Sequence, residues 1–246
     1  MRRFLCLLII LIVCVSIVGC KEGSNKDPGP NKETQSLKGD AENVDSHLLI
    51  FGTYEQDNNS NNGKEAIEWI ILDKTDDSML IISKYALDQV KFNETLEDVT
   101  WENCTLRTWL NEEFLNMAFT ADEQTRILDT AVIAEDNPTH GTDGGNDTVD
   151  KLFLLSISEA KKYFDSDAER MCMPTAYTKM RTTVSSENGV EGNCWWGLRS
   201  PGDLFQSHIA FVSPHGDIEE GEGYGYGSNV DSEIMTLRPA MWISLN

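Results

Sequence analysis

The chain has 246 residues, of which 41 are acidic and 20 are basic, so its formal charge is −21 at pH 7. A surface this acidic repels nucleic acid and anionic lipid headgroups, which excludes both as partners of that surface. The sequence is 40% apolar, and all six tryptophans lie after residue 68. We therefore expect one globular body, long enough to bury a real core, in the later part of the chain.

Residues 1–20 have the layout of an export signal. Arg2 and Arg3 precede an apolar run over residues 5–18, and the sequence Ile-Val-Gly-Cys ends at Cys20. These last four residues resemble a bacterial lipobox, which implies that Cys20 is lipidated and holds the protein at the extracellular face of the cell membrane. An uncleaved anchor or an ordinary secretory signal is the alternative.

Residues 21–47 are mostly charged or small polar residues, Gly and Pro, with Leu37 and Val44 as the sizeable aliphatics. Such a segment cannot bury enough apolar area to offset the entropy of ordering. It is therefore predicted to be a disordered linker between the membrane and the domain formed by residues 48–246.

The domain begins with strand patterns. Residues 47–54 predict a strand, the Asn-rich run 58–63 predicts a loop, and the apolar runs 66–72 and 79–83 flank a polar turn. Two β-branched runs around a polar turn are typical of a β-hairpin.

Helical signals follow. Residues 105–119 have an apolar face with spacings of three and four, formed by Leu106, Trp109, Leu110, Phe114 and Met117. Capping boxes at Thr120 and Ser156 predict two further helix starts, and residues 151–155 predict a short buried strand. We expect loops and strands from Met171 onward, including two tryptophan-containing strands that end near Pro201 and begin near Pro239. Strands followed by helices and then a β region predict an α+β fold.

Eight short motifs occur in order along the domain. They are FGTY at 51–54, EWIILD at 68–73, TWE at 100–102, LRTWLN at 106–111, DTVDK at 147–151, FLLS at 153–156, WWGLRSPG at 195–202 and RPAMWI at 238–243. Together they resemble bacterial domain-of-unknown-function family 6273, whose members are often surface proteins of Gram-positive bacteria. The family has no established activity.

That family is distantly similar to C-type-lectin-like folds, a group that includes the formylglycine-generating enzymes. The resemblance implies a single C-type-lectin-like domain with a mixed or antiparallel sheet, about three helices and a long loop-rich region. It also implies that the first and last strands pair.

Three cysteines, Cys104, Cys172 and Cys194, remain in the domain. Outside the cytoplasm two of three would usually pair, which leaves three possible choices. We favour a disulfide between Cys172 and Cys194. The alternatives are three reduced, buried thiols or a copper-binding pair as in formylglycine-generating enzymes, although the motif context of those enzymes is absent.

An oxygen-rich, Gly-flexed segment offers Asp143, Asn146, Asp147 and Asp150 as ligands for Ca²⁺, although it does not match an EF-hand loop. We favour a structural role in which Asp147 and Asp150 cap turns. We expect no other cofactor.

The candidate ligand-binding residues are Arg199, Trp196, Tyr224 and Tyr226. Tyrosines on a glycine-rich loop are suited to recognition. Arg199 could clamp an acidic ligand, but we favour internal ion pairs of Arg199 and Arg238 with acids such as Glu68 or Glu102.

Ser200, Asp203 and His208 have the residue types of a catalytic triad but lack a nucleophile-elbow pattern, so we treat their occurrence as chance. The sequence thus predicts a lipid-anchored binding or display module for an envelope glycan, peptide or protein, without catalysis. An oxidase using Cys172 and Cys194 and a structural envelope component are the alternatives.

Overall fold

A computed structural model describes residues 48–182, 192–220 and 227–246. These residues all belong to the unit that spans Asn43–Asn246. No helix in the described part of the chain is long and apolar enough to cross a membrane. The architecture is mixed α+β with antiparallel sheets, as predicted.

The first sheet has the strand order β1-β2-β3-β10. Strands β1 (Leu48–Tyr54), β2 (Glu65–Lys74) and β3 (Ser78–Ser83) form the predicted antiparallel meander. The last strand, β10 (Ala240–Ser244), pairs with β3. The expected pairing of the first and last strands is therefore wrong, because β1 and β10 lie at opposite edges of this sheet.

A continuous helical segment follows as α1 (Thr105–Trp109), a π-helical turn (Leu110–Phe114) and α2 (Leu115–Ala118). It confirms the predicted helix but not the whole apolar face, because Met117 is 39% exposed while Leu115 is buried. A π-helical turn contains more residues than an α-helical turn, so the residues after it rotate relative to the original face.

Both predicted capping boxes are present. They begin α3 (Ala121–Arg126) and α4 (Ile157–Tyr163), where each N-cap hydroxyl accepts from the N3 backbone and each N3 Glu accepts from the N-cap backbone. Two short helices, α5 (Asp167–Arg170) and α6 (Ala176–Arg181), also form, and the sequence analysis missed both.

A two-stranded sheet joins β4 (Thr130–Val132) to β5 (Thr148–Asp150). The strand predicted at 151–155 is wrong: those residues follow β5, and Phe153 makes a single bridge to Ala240. Residues 152–155 are nevertheless buried in the core, which explains their apolar pattern.

The third sheet contains β6 (Trp196–Pro201), β7 (His208–Val212), β8 (Ile218–Glu219) and β9 (Ser228–Asn229). Strand β7 is central to it, since it pairs with each of the other three. The two tryptophan strands, β6 and β10, lie in different sheets and both line one continuous apolar core. The turn between β6 and β7 exposes Leu204 and Phe205 at the surface.

Candidate functional site

The turn between β6 and β7 holds a buried carboxylate beside a histidine. Asp203 is 2% exposed, and its Oδ1 accepts a hydrogen bond of 2.9 Å from Phe205 N and lies 3.2 Å from Nδ1 of His208. Oδ2 of Asp203 is also buried but has no hydrogen-bond partner among the described residues. Because an unsatisfied buried acceptor costs free energy, packing stability alone does not account for a carboxylate here.

Two glycines bring a second chain segment against this turn. A Cβ on Gly202 would lie 2.7 Å from the carbonyl oxygen of Ile209 and 2.9 Å from Cα of Gly227. Gly227 also has φ of 81°, which other residues rarely adopt. Strand β9 starts directly after Gly227 and pairs with β7 at His208, so the chain returns to the base of the turn.

Four loops meet around the turn and form the surface that we call the loop cluster: residues 93–100, 142–147, 202–207 and 230–234. Hydrogen bonds join them at Asn93 N to Val230 O (2.8 Å), Val230 N to Ser207 O (3.0 Å), Val99 N to Gln206 O (3.3 Å), Gln206 Nε2 to Asp143 O (2.9 Å) and Thr142 Oγ1 to Asp203 O. These bonds make the four loops one connected surface.

The loop cluster exposes large apolar side chains. The exposed fractions are 68% for Leu204, 56% for Phe205, 55% for Leu96 and 39% for Ile234. The Phe205 ring lies with its centroid 6.2 Å from that of His208. A single exposed apolar residue is ordinary, but several on loops that bond to one another indicate an interaction surface.

The loop cluster is also acidic. Its four loops contain no Lys, Arg or His, and their exposed acids are Glu94, Glu97, Asp98, Asp143, Asp147 and Glu233. The loop cluster therefore combines exposed apolar side chains with exposed carboxylates, and apolar and polar groups together are the usual composition of a protein recognition surface.

The predicted calcium ligands do not converge. Asp147 Oδ1 accepts from Ala134 N at 2.8 Å, and Asn146 donates its Nδ2 to Glu102 at 2.9 Å. Both oxygens of Asp150 are occupied by hydrogen bonds, one from Arg107 and the other from Trp101 and Thr148. Asp143 accepts from Gly145 N at 2.9 Å. These hydrogen bonds support the structural role of the four residues, and the calcium site stays a prediction.

A different acidic group comes together in the described residues. One carboxylate oxygen from each of Glu55, Asp57 and Glu65 lies within 4.8 Å of the other two. Glu65 Oε2 accepts from Gln56 N at 2.7 Å, and Asp57 Oδ1 accepts from Asn59 N at 2.8 Å. These three acids flank the loop predicted at residues 58–63, and Glu65 is the first residue of β2.

Cys172 and Cys194 are buried neighbours. Cys194 donates from its backbone N to Cys172 O at 2.8 Å, and its Sγ lies 3.3 Å from the same oxygen. Burial raises the pKa of Cys172, but the Cys194 hydrogen bond and the Arg238 charge outweigh burial, so that pKa is lowered. All three cysteines are free thiols in the structure. The Cys172–Cys194 disulfide stays a prediction that this arrangement makes feasible.

Arg199 and Trp196 belong to the core. Arg199 is 5% exposed, forms an ion pair with Glu159 and donates to Leu154 O at 2.7 Å. Its partner is thus Glu159 and neither Glu68 nor Glu102. Trp196 is fully buried and donates its Nε1 to Arg170 O at 3.0 Å. Burial leaves little of either side chain accessible to a ligand, so their role in ligand binding stays a prediction.

The other residues considered from the sequence are Ser200, which the structure describes, and three residues that it does not describe. Ser200 is 3% exposed and accepts from Ile157 N at 3.0 Å, so it stabilises the start of α4. Tyr224, Tyr226 and the lipidation residue Cys20 lie outside the described residues. The structure does bring Asp203 and His208 together, although their occurrence in the sequence was interpreted as chance.

Comparison with known proteins identifies a family but no activity. No curated protein and no solved structure matches this chain. A family model described as Domain of unknown function (DUF6273) matches residues 76–245, which include the loop cluster and the third sheet. The chain therefore belongs to this family of domains of unknown function.

Proposed function

We propose that the protein is a lipid-anchored binding module at the extracellular face of the bacterial cell membrane and that the loop cluster binds a component of the cell envelope, a glycan, peptide or protein. The export signal and Cys20 supply the membrane attachment, and residues 21–47 supply the linker. The proposal includes no catalysis, no cofactor and no nucleic acid.

The exposed Leu204–Phe205 pair carries this proposal. Two adjacent apolar side chains, 68% and 56% exposed, stand on a turn that is fixed by hydrogen bonds to neighbouring loops. A preorganised surface loses little conformational entropy on binding, so exposed apolar area there contributes more to affinity than it would on a free loop. The C-type-lectin-like relationship belongs to the same proposal, since recognition through long loops on an antiparallel framework is what it implies.

The two alternatives have less support. An oxidase that uses Cys172 and Cys194 needs thiols that reach a substrate, whereas these residues are 2% and 8% exposed. A purely structural envelope component does not need the exposed apolar side chains of the loop cluster, which carry a cost in solubility.

Co-sedimentation with isolated envelopes of the producing bacterium tests the proposal. The full chain, held in nanodiscs of neutral lipid, should sediment with the envelopes, and the Leu204→Ser, Phe205→Ser double variant should stay in the supernatant. The matched control is Ile50→Ser with Met180→Ser, because these residues are 59% and 72% exposed on β1 and α6. Equal loss in both variants would reject the loop cluster as the site, and no binding by the unmodified chain would reject the module.

A further inference from the structure

The negative charge of the loop cluster indicates which class of ligand it binds. Glu94, Glu97, Asp98 and Asp143 form no ion pair within the described residues, and Glu233 pairs with Lys91, which lies outside the four loops, at 3.4 Å. Hydrogen bonds from Thr95 and Asn93 lower the pKa of Glu97, so this exposed carboxylate is ionised at neutral pH. The surface therefore carries carboxylates that no ion pair compensates in the described ranges of the domain.

Asp203 adds a second, independent observation. It lies inside the turn that carries Leu204 and Phe205, is 2% exposed, and has one buried oxygen without a hydrogen-bond partner among the described residues. The turn that carries the two exposed apolar side chains therefore also holds a polar acceptor that the described fold leaves unsatisfied.

From these features we propose that the loop cluster binds a cationic, amphiphilic protein segment, in which lysine or arginine alternates with apolar residues. This inference rests on the proposed function and names its ligand class. The apolar side chains of the segment would pack on Leu204 and Phe205, while its cations would face the carboxylates around them. Such complementarity speeds association and excludes anionic competitors, including the anionic polymers of cell envelopes. A neutral glycan has no cationic groups, so it would make no ion pairs with these carboxylates.

Titration with synthetic peptides tests the ligand class. The full chain in neutral-lipid nanodiscs is titrated with a peptide that alternates lysine with leucine and phenylalanine, and empty nanodiscs serve as the blank. We expect Phe205→Ala to weaken binding by about tenfold or more, as at the centre of an interface. The charge-neutralised variant Glu94→Gln, Glu97→Gln, Asp98→Asn, Asp143→Asn should weaken binding by about tenfold at low salt and by less at high salt.

The control neutralises four exposed acids elsewhere, as Asp76→Asn, Asp77→Asn, Asp122→Asn, Asp165→Asn. This control variant makes the same change in net charge and should bind the peptide like the unmodified chain. All variants should have the same unfolding midpoint as the unmodified chain. Equal affinity for a peptide with glutamate in place of lysine would overturn the inference, as would equal weakening in both neutralised variants. If envelopes still sediment the chain through Leu204 and Phe205 while the cationic peptide does not bind, the binding module stands and this ligand class is wrong.

Discussion

The carboxylate of Asp203 lies 3.2 Å from Nδ1 of His208 at the base of the most exposed apolar turn of the described chain. Oδ1 of Asp203 accepts a hydrogen bond from Phe205 N, whereas Oδ2 has no partner in the described part of the chain. Asp203 therefore fixes the backbone of the turn at Phe205, whose exposed side chain we assign to binding.

Replacing Asp203 separates its structural role from its charge. Asp203→Ala should lower the free energy of unfolding by about 1–3 kcal/mol, because Phe205 N loses its buried acceptor. Asp203→Asn keeps an oxygen for that bond and should cost less. Urea denaturation of both variants measures the difference. Equal losses in the two variants would show that the charge, and not the hydrogen bond, holds the turn.

Arg238 is a buried cation without a carboxylate partner among the described ion pairs. It donates to Ser83 O at 2.9 Å and to Arg170 O at 3.3 Å, and its guanidinium lies 5.0 Å from the centroid of the Trp196 ring. Arg238→Lys should lower the free energy of unfolding by about 2 kcal/mol or more, because an ammonium cannot reproduce both the planar stacking and the two directed bonds.

The control for Arg238 is Lys179→Ala, since Lys179 is exposed on α6. That substitution should change unfolding by less than about 0.5 kcal/mol. A stable Arg238→Lys variant would mean that the guanidinium contacts contribute little to the fold.

Oxidation should link Cys172 to Cys194 and leave Cys104 as a thiol. Closing a loop of about 23 residues should add on the order of 3 kcal/mol to the free energy of unfolding. Peptide mapping after alkylation identifies the bond, and Cys194→Ser should abolish the effect of reductant on stability. Alkylation of all three cysteines in the folded, unreduced protein would contradict the pairing.

Glu123 joins the start of α3 to strand β1. Burial raises the pKa of Glu123, but hydrogen bonds from Thr120 N, the Thr120 hydroxyl and Gly52 N outweigh it and hold that pKa below its ordinary value of 4.5. A carboxyl group with a lowered pKa stabilises the fold above its ordinary value, and this stabilisation is lost as the pH falls through the folded-state pKa.

Glu123→Ala should therefore cost about 1 kcal/mol at pH 7, and the cost should shrink as the pH falls below 4.5. Urea denaturation across this pH range measures it, with Asp122→Asn, an exposed neighbour in the same helical turn, as the control. A cost that does not change with pH would show that the contacts of the Glu123 side chain do not depend on its charge.

Local signals in the sequence predicted most of the fold. The hairpin of β2 and β3 has β-branched runs around a polar turn, and the capping boxes at Thr120 and Ser156 fix two helix starts through contacts within four residues. The π-helical turn, which exposes Met117, and the short helices α5 and α6 depend on tertiary packing and have no comparable local signal.

The candidate site was harder to predict because its parts are distant in sequence. Trp196 and Arg199 were predicted to bind a ligand because of their residue types. The same residue types also occur in a protein core, where both side chains lie. Leu204 and Phe205 follow Gly202 and Asp203 in a turn. Turns are usually polar, so two adjacent apolar residues there were the sequence signal that could have indicated the site. The loops around residues 96 and 234 join them only through long-range hydrogen bonds.

Amide hydrogen exchange of the envelope-bound chain tests whether the loop cluster is the binding surface. We predict slower exchange on binding in residues 203–207 and 93–99, because these loops would be covered by the ligand, and unchanged exchange in β1 and α6. Protection confined to β1 or α6, with exchange in the loop cluster unaltered, would contradict it.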